Sequence, residues 1–294
     1  MLTSLITGAV EVWNVDTRAL VTTIQVATAP VRSARFVARK NWIVTSADDA
    51  TVRVFDLETS ALVTAFEAHD DYVRFIDVHP SKPFILTSSD DKSIKLWDWE
   101  RQWQCVQTFW GHDHYVMQAK FNFADPNVIA SASLDHTLRI WSLTSGNSLS
   151  VASLGEIFSV STLKGHTAGV NCVDFFWEGD KTYILSGSDD KTVKVWDLAT
   201  QSVVKTFVGH TGNVTAVLKH PLLPLIVSAS EDNSVRTWSS TTSHAEEALI
   251  HDLSRAWTLS AMPDSVSIAI GYDHGSVVVD LVGGAASRAE ATRL

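Results

Sequence analysis

The sequence is poor in cysteine, in basic charge and in long apolar runs. Its two cysteines, Cys105 and Cys172, lie far apart, which excludes a disulfide framework and a cysteine-rich zinc site and fits a reducing cytosol. Lys and Arg number 23 against 33 Asp and Glu, so the net charge of −10 argues against a nucleic-acid partner. No apolar run approaches the roughly 18 residues of a membrane span, and the start, MLTSLITG, lacks the pattern of a signal peptide.

Tryptophan is abundant instead, with 11 copies in 294 residues, and its spacing follows an internal repeat. Short runs with an acidic turn, such as TSSDDKSIKLW, recur every 41–44 residues with one interval of 55. A repeat of this period is typical of repeat architectures. Counting from Thr7 gives seven copies, and the long interval holds an insertion around residues 146–160. The turn aspartates are Asp49, Asp91, Asp135, Asp190, Asp232 and Asp273.

Each copy reads as four short strands. In the third copy, YVRFIDVHP alternates apolar and polar residues, and FILTSS, IKLWDW and CVQTFWGH follow with turns between them. Such spacing predicts an all-β fold, and four strands in each of seven copies predict a seven-bladed β-propeller. We expect one domain over residues 1–284 and a tail over 285–294. The blades are predicted near 1–28, 29–70, 71–113, 114–167, 168–211, 212–252 and 253–284.

The pattern resembles WD-repeat proteins over nearly the whole chain. That resemblance implies a buried hydrogen-bonded chain of His, turn Asp, Ser or Thr, and Trp within a blade, which satisfies polar groups there. The repeat histidines are His69, His112, His166, His210 and His251, and the Trp-Asp positions begin at Trp13, Phe55, Trp97, Trp141, Trp196 and Trp238.

Catalysis is not expected. Ser, His and Asp recur together in blade after blade, which a single catalytic centre would not require. The sequence has no H-E-x-x-H, G-x-G-x-x-G or P-loop motif, so it predicts no enzyme, no metal site and no cofactor.

Two strands of the expected ring are missing from the pattern. The first copy begins at LTSLI, which reads as its second strand, and the seventh copy ends after SVVVDLV, its third strand. The sequence therefore predicts either a ring that is incomplete at the N-terminus or closure by another route, for instance by the tail AASRAEATRL. Unpaired strand edges invite aggregation.

Several segments are more specific than a generic WD repeat. They are residues 29–44, 67–103 and 111–122, with Phe-Val-Ala-Arg-Lys-Asn-Trp at 36–42 and Leu-Trp-Asp-Trp at 96–99. These segments resemble the N-terminal propeller of coatomer β′ subunits. The resemblance implies a module that binds cytosolic C-terminal dilysine signals, K-K-x-x or K-x-K-x-x, for Golgi-to-ER retrieval and intra-Golgi transport. It also implies other coatomer subunits as partners, and a cytoplasmic protein held peripherally on Golgi membranes and COPI-coated vesicles through the coat.

The position before each turn aspartate is rich in acids. Because repeats are related by rotation, these residues should lie on one circle near the channel mouth, where acids attract lysine. The alternative is that Asp-Asp simply suits a turn. The residues are Ile6, Asp48, Asp90, Leu134, Asp189, Glu231 and Tyr272.

A second circle is formed by the residue after Val, or after Ala256, at the start of each innermost strand. Two neighbouring copies carry arginine there, and an arginine can hold a carboxylate with two parallel hydrogen bonds. For Arg32 the alternative is a salt bridge to a neighbouring acid. The residues are Arg32, Arg74, Met117, Asn171, Thr215 and Trp257.

The family resemblance assigns roles to seven residues. It implies that Arg32 binds the ligand's terminal carboxylate and that three acids hold its lysines, with two tyrosines and an arginine bordering the site. The family tyrosine before the first turn is replaced by Ile6. The acids are Asp71, Asp90 and Asp189, and the bordering residues are Tyr72, Arg74 and Tyr115.

A second function stays open. The chain could be a generic WD-repeat scaffold that docks folded proteins, for example as an adaptor in a ubiquitin ligase. The pair of arginines beside a cluster of acids favours recognition of dilysine tails.

Overall fold

The computed structural model describes residues 1–143, 156–157, 159, 161–240, 245–250, 253–262, 264–281 and 292–293. The chain divides into two compact units, Met1–Thr162 and Leu163–Leu294. Most of the insertion predicted around residues 146–160 lies outside the described residues, and so do His251 and most of the tail. The prediction of a single domain over residues 1–284 stays a prediction.

Successive antiparallel sheets follow one another along the described chain, one for each repeat, and are numbered here in chain order. Sheet 1 contains Leu2–Ser4, Ala9–Asn14 and Ala19–Gln25, and sheet 2 contains Val31–Val37, Trp42–Ala47, Thr51–Asp56 and Leu62–Glu67. Sheet 3 contains Val73–Val78, Phe84–Ser89, Ile94–Asp98, Gln104–Phe109 and Glu156–Ile157, and sheet 4 contains Val116–Phe121, Val128–Ser133, Thr137–Ser142 and Ser161–Lys164.

The remaining strands form three further sheets. Sheet 5 contains Val170–Glu178, Lys181–Ser188, Thr192–Asp197 and Ser202–Val208. Sheet 6 contains Val214–Lys219, Leu225–Ser230, Ser234–Ser239 and Ala245–Ile250, and sheet 7 contains Ala256–Ala261, Ser267–Tyr272, Gly275–Asp280 and Thr292–Arg293. Two 3₁₀ turns, Ala38–Lys40 and Trp99–Arg101, are the helical segments of the described chain.

Two strands depart from the simple repeat. Glu156–Ile157 pairs in parallel with Thr108 and Phe109, so part of the insertion within the fourth repeat adds a fifth strand to sheet 3. Thr292–Arg293 pairs with Val277 and Val278, so a segment of the tail occupies the fourth-strand position of sheet 7, which the sequence pattern left empty. Among the described residues sheet 1 has three strands, as the sequence predicts.

The apolar core lies between neighbouring sheets. In the first unit, Val10 and Ile24 of sheet 1 pack with Ile43 of sheet 2, and Leu96 of sheet 3 packs with Trp141 of sheet 4. The second strand of sheet 3, Phe84–Ser89, is buried along its whole length. A strand covered on both faces reads as an unbroken buried run instead of an alternating one.

A buried hydrogen-bonded chain ties the turn of sheet 5 to its core, as the WD resemblance implies. The indole N–H of Trp196 donates to Ser186 Oγ at 2.8 Å, Ser186 Oγ lies 2.8 Å from His166 Nε2, and His166 Nδ1 lies 2.7 Å from Asp190 Oδ2. An indole N–H can only donate, so Ser186 Oγ accepts from Trp196 and its hydroxyl donates to His166 Nε2. The imidazole then carries its proton on Nδ1, which donates to the Asp190 carboxylate. Asp190 then fixes the turn by accepting the backbone N–H of Thr192 at 3.0 Å.

Sheets 3, 4 and 6 repeat this chain with the same geometry. Their sets are Trp97–Thr87–His69–Asp91, Trp141–Ser131–His112–Asp135 and Trp238–Ser228–His210–Asp232. Sheet 2 lacks both the histidine and the tryptophan, and its turn aspartate Asp49 instead pairs with Arg53 at 2.7 Å. The hydroxyls of these chains are buried, so the recurring Ser–His–Asp sets are internal scaffolding.

Removing the central hydroxyl should destabilise the fold. Ser186→Ala leaves His166 Nε2 and the indole N–H of Trp196 buried without their partner, and each such group costs about 1–3 kcal/mol. Ser81→Ala, at an exposed position in a loop of sheet 3, should change the free energy of unfolding by no more than about 0.5 kcal/mol. Urea unfolding measures both. Equal unfolding midpoints for the two variants would contradict the assigned chain.

The same chains make stability depend on pH. Burial lowers the pKa of His69, His112, His166 and His210 below the ordinary 6.5, and the facing carboxylates offset this only in part. The unfolded chain therefore binds more protons than the folded chain below pH 6.5. The contribution of these histidines to the free energy of unfolding is fully present above that pH and is lost as the pH falls. Urea midpoints should fall from pH 7.5 to pH 5.5, and His210→Gln should reduce that slope. A midpoint that stays constant over this range would contradict the neutral histidines.

Candidate peptide-binding site

The first strand of sheets 2, 3 and 4 carries one extra residue near its start. The pairing register shifts between Val31 and Ser33 in sheet 2, and sheets 3 and 4 have the same shift. A β-bulge of this kind re-aims the side chain of the extra residue. The bulged residues are Arg32, Arg74 and Met117, which are the first three of the six residues on the second circle that the sequence predicts.

A backbone hydrogen bond places the residue before each turn beside its bulge. The N–H of Asp48 donates to Pro30 O at 3.0 Å, and the N–H of Asp90 donates to Tyr72 O at 3.1 Å. Each residue that precedes a turn aspartate therefore lies beside the bulged residue of its own sheet, and these pairs occupy the same end of each sheet.

Arg74 and Asp90 form a largely buried pair in sheet 3. Arg74 Nε donates to Asp90 Oδ1 at 2.7 Å, and its Nη2 donates to Oδ2. The Asp90 side chain is 4% exposed and that of Arg74 21%. The bond to Asp90 raises the pKa of Arg74, against the opposing effect of burial. The guanidinium also lies 5.6 Å from the ring of Tyr72, so this pair is held from two sides.

Arg32 and Asp48 form the equivalent pair in sheet 2, but this pair is more open. Arg32 Nε donates to Asp48 Oδ1 at 2.7 Å and its Nη2 donates to Oδ2. This is a salt bridge to a neighbouring acid, the alternative that the sequence leaves open for Arg32. The Arg32 side chain is nevertheless 36% exposed. These two bonds are its hydrogen bonds to described residues, and a guanidinium has five N–H donors. Arg32 therefore retains donors that could bind a carboxylate.

The remaining predicted residues of the first unit lie at the same end of sheets 3 and 4. Asp71 Oδ1 accepts the N–H of Tyr72 at 2.8 Å, and Ser89 Oγ donates to its backbone carbonyl at 3.2 Å. Asp71 is half-buried and has no cationic partner within the described chain. Tyr72 is 43% exposed and Tyr115 is 36% exposed. Of the two acids predicted for the site in this unit, Asp71 is therefore more open to a ligand cation than Asp90.

Asp189 lies in the second unit, in sheet 5, with the same local frame. The register shifts between Val170 and Cys172, which makes Asn171 the bulged residue. Its amide donates to Asp189 Oδ1 at 2.7 Å and to Val214 O at 3.0 Å. A neutral amide leaves the charge of Asp189 uncompensated, unlike the arginine that faces Asp90.

The sequence-derived register of the seventh copy was wrong by one residue. The N–H of Asp273 donates to Arg255 O at 3.1 Å, the bond that marks the position of Asp48 and Asp90, so Asp273 and not Tyr272 stands there. The indole N–H of Trp257 donates to Asp273 Oδ1 at 2.6 Å. The sequence alignment matched the aspartate by residue type alone. Matching the distance to the following strand, SVVV, would have placed Asp273 correctly.

The fold and this recurring frame define the class of protein. The WD40 family (WD domain, G-beta repeat) matches residues 18–56, 60–98, 103–142, 158–197 and 201–239, and the chain belongs to that family. The first match begins at the last strand of sheet 1 and each later match at the fourth strand of a sheet, and every match ends at the third strand of the next sheet. The predicted fold class, a seven-bladed WD-repeat β-propeller, is confirmed.

Curated relatives narrow the likeness further. The chain is 50% identical to "Coatomer subunit beta'" of Rattus norvegicus over 281 residues, which are 96% of this chain and 30% of that protein. It is 51% identical to the Drosophila melanogaster protein of that name over 279 residues, or 95% of this chain and 29% of the relative. It is 58% identical to "Coatomer subunit beta'-2" of Arabidopsis thaliana over 224 residues, or 76% of this chain and 23% of the relative. These findings confirm the resemblance, and the chain spans less than a third of the length of these relatives.

The part of the chain that the structure describes contains neither a membrane-spanning helix nor a metal-holding cluster of side chains. Its helices include none with the length and apolar character to cross a bilayer. Its His, Cys, Asp and Glu side chains form no group of three or more arranged to hold a metal ion.

The two arginine pairs should differ in their effect on stability. Asp90→Ala strands the largely buried Arg74 and should cost about 1–3 kcal/mol, while Asp48→Ala frees a more exposed arginine and should cost less than about 1 kcal/mol. Asp16→Ala, at an exposed loop position of sheet 1, is the matched control and should have almost no effect. Thermal and urea unfolding measure all three. A larger cost for Asp48→Ala than for Asp90→Ala would contradict the burial argument.

Proposed function

We propose that this WD-repeat chain is the cargo-binding part of a COPI vesicle coat. In this role it recognises C-terminal dilysine signals of membrane proteins for Golgi-to-ER retrieval and intra-Golgi transport. Its partners are those cytosolic tails and other coatomer subunits, and it acts in the cytoplasm, peripherally on Golgi membranes and COPI-coated vesicles through the coat. The role is binding and not catalysis.

One observation carries the proposal. Sheets 2 and 3 present, at the same end, an exposed guanidinium with donors to spare and a half-buried carboxylate without a cationic partner, Arg32 and Asp71. A dilysine tail carries an anionic terminus a few residues from its ammonium groups, so its two signs match these two side chains. Arginine binds carboxylates in a planar fork, and a carboxylate in an exposed setting pairs with lysine.

The other predicted residues take supporting roles in this proposal. Both carboxylate oxygens of Asp90 already accept from Arg74, so Asp90 would act on a ligand lysine mainly through its field and by positioning that arginine. Tyr72 and Tyr115 are exposed enough to pack against the ligand's aliphatic stems. Asp189, held by a neutral amide, is the further acid that the sequence assigns to a lysine.

The affinity for one tail should be modest. Each exposed lysine–carboxylate pair is worth about 0.2–1 kcal/mol, and several together with a clamped terminus give micromolar binding, about −8 kcal/mol. A coat offers many copies of the site to tails that share one membrane, so avidity makes the overall binding stronger than the affinity for a single tail.

Titration of a labelled tail peptide tests the proposal. A peptide ending in two lysines, two further residues and a free carboxylate should bind at micromolar Kd, more weakly as salt rises, and the amidated peptide should bind several-fold more weakly. Arg32→Ala should reduce the ratio between the two peptides. Asp71→Asn and Asp189→Asn should weaken both peptides, because each variant removes a lysine partner.

The matched control is Arg101→Ala. Arg101 also pairs with an aspartate, Asp98 at 3.4 Å, but lies at the opposite end of sheet 3, so its loss should leave binding unchanged. Wild-type affinity in Arg32→Ala, Asp71→Asn and Asp189→Asn would place the site elsewhere, and a general scaffold that docks folded proteins would then be the better account.

A further inference from the structure

Sheet 4 has the same β-bulge and the same backbone hydrogen bond as sheet 3, but apolar side chains stand at these two positions. Its bulged residue is Met117, in the position that Arg74 holds in sheet 3. The N–H of Leu134 donates to Tyr115 O at 3.0 Å, the same bond that Asp90 makes to Tyr72. The backbone is thus the same in both sheets, while an arginine–aspartate pair in sheet 3 is replaced by a methionine–leucine pair in sheet 4.

These apolar groups are within reach of a ligand. Met117 and Leu134 are half-buried where Asp90 is buried, and Tyr115 beside them is 36% exposed. The ring of His114 meets the ring of Tyr115 edge-on at 4.5 Å, which supports the tyrosine from one side. Methionine is flexible and polarisable, so such a surface adapts to aliphatic and aromatic side chains.

Sheet 4 directly follows sheet 3, at whose end Asp71, the proposed lysine partner of the first unit, lies. The first strands of sheets 3 and 4 are tied together where the N–H of Phe121 donates to Asp77 Oδ2 at 2.9 Å. In the proposed function the ligand's carboxylate lies at Arg32 of sheet 2 and a lysine at Asp71 of sheet 3. If the peptide continues in the same direction from sheet to sheet, the residues that precede this lysine lie at sheet 4.

We infer that Met117, Leu134 and Tyr115 form an apolar subsite for an aliphatic or aromatic side chain on the amino-terminal side of the ligand's lysines. This inference rests on the proposed function and adds to it a preference in the ligand's sequence. A lysine at that point of the ligand gains no carboxylate from the Met117–Leu134 pair, so the subsite discriminates by burial of apolar surface instead of by charge.

A peptide series tests the subsite on the 294-residue chain. Each peptide keeps the two lysines and the free carboxylate, and the three residues before the lysines are replaced one at a time by Leu, Ser or Lys. At one of these positions Leu should bind about 3–10-fold more tightly than Ser, since partial burial of a leucine side chain is worth about that much.

Leu134→Asp gives sheet 4 the acid of sheet 3 without the arginine that neutralises it. This variant should reverse the preference at the same position, so that Lys binds more tightly than Leu. Leu134→Asn should lose the preference for Leu without gaining one for Lys. Leu62→Asp is the matched control, because Leu62 is 55% exposed in the fourth strand of sheet 2, and it should keep the wild-type preference.

The outcomes separate the two proposals. Equal binding of the Leu and Ser peptides at all three positions, with binding that still requires the lysines and the free carboxylate, would overturn the subsite alone. A preference for Leu that survives in folded Leu134→Asp, and in Met117→Glu as a second variant, would also overturn it. Loss of the requirement for lysines and carboxylate in the wild-type chain would overturn the proposed function and the subsite with it.

Discussion

The buried chain from tryptophan to turn aspartate is the interaction on which the turns of sheets 3, 4, 5 and 6 depend, while sheet 2 uses the Asp49–Arg53 pair instead. Trp97 and Thr87 of sheet 3 and His69, which lies just before that sheet, hold Asp91, and Asp91 in turn accepts the backbone N–H of Ser93 at 2.8 Å. The residue before that aspartate is thereby fixed at the end of the sheet. Since sheets 4, 5 and 6 use the same chain, each presents one residue at the equivalent place.

A bulge then supplies each of these residues with a partner. The backbone frame is the same from sheet to sheet, while the side chains on it change: arginine with aspartate in sheets 2 and 3, methionine with leucine in sheet 4, asparagine with aspartate in sheet 5. Stability and recognition are therefore carried by different positions. The hydrogen-bonded chain is buried and tolerates little change, while the bulged residue is free to vary in charge and size.

The sequence predicted the repeat and the strand content, because alternation, turn chemistry and the 41–44 residue spacing are local signals. The buried chain was implied by the resemblance to WD-repeat proteins. The sequence placed Arg32 and Arg74 on one circle and Asp48 and Asp90 on another, and it gave a salt bridge to a neighbouring acid only as the alternative for Arg32. It did not predict the bulges, since one extra residue in a strand leaves no mark in a single sequence. For the same reason it could not show that Asp90 is neutralised by Arg74 while Asp71 is not. The seventh turn was misaligned because Tyr272 and Asp273 were matched by residue type and not by distance to the next strand.

The central claim is that the remaining Nη donors of Arg32, outside its fork to Asp48, receive the carboxylate of a tail while the fork of Arg74 stays locked to Asp90. Side-chain Nε–H signals of arginine in ¹H–¹⁵N spectra test this directly, with assignments from Arg32→Lys and Arg74→Lys. Addition of a dilysine peptide with a free carboxylate should shift the Arg32 Nε–H signal and leave that of Arg74 nearly unchanged, and the amidated peptide should shift neither strongly. An Arg32 signal that ignores the free carboxylate would contradict the account.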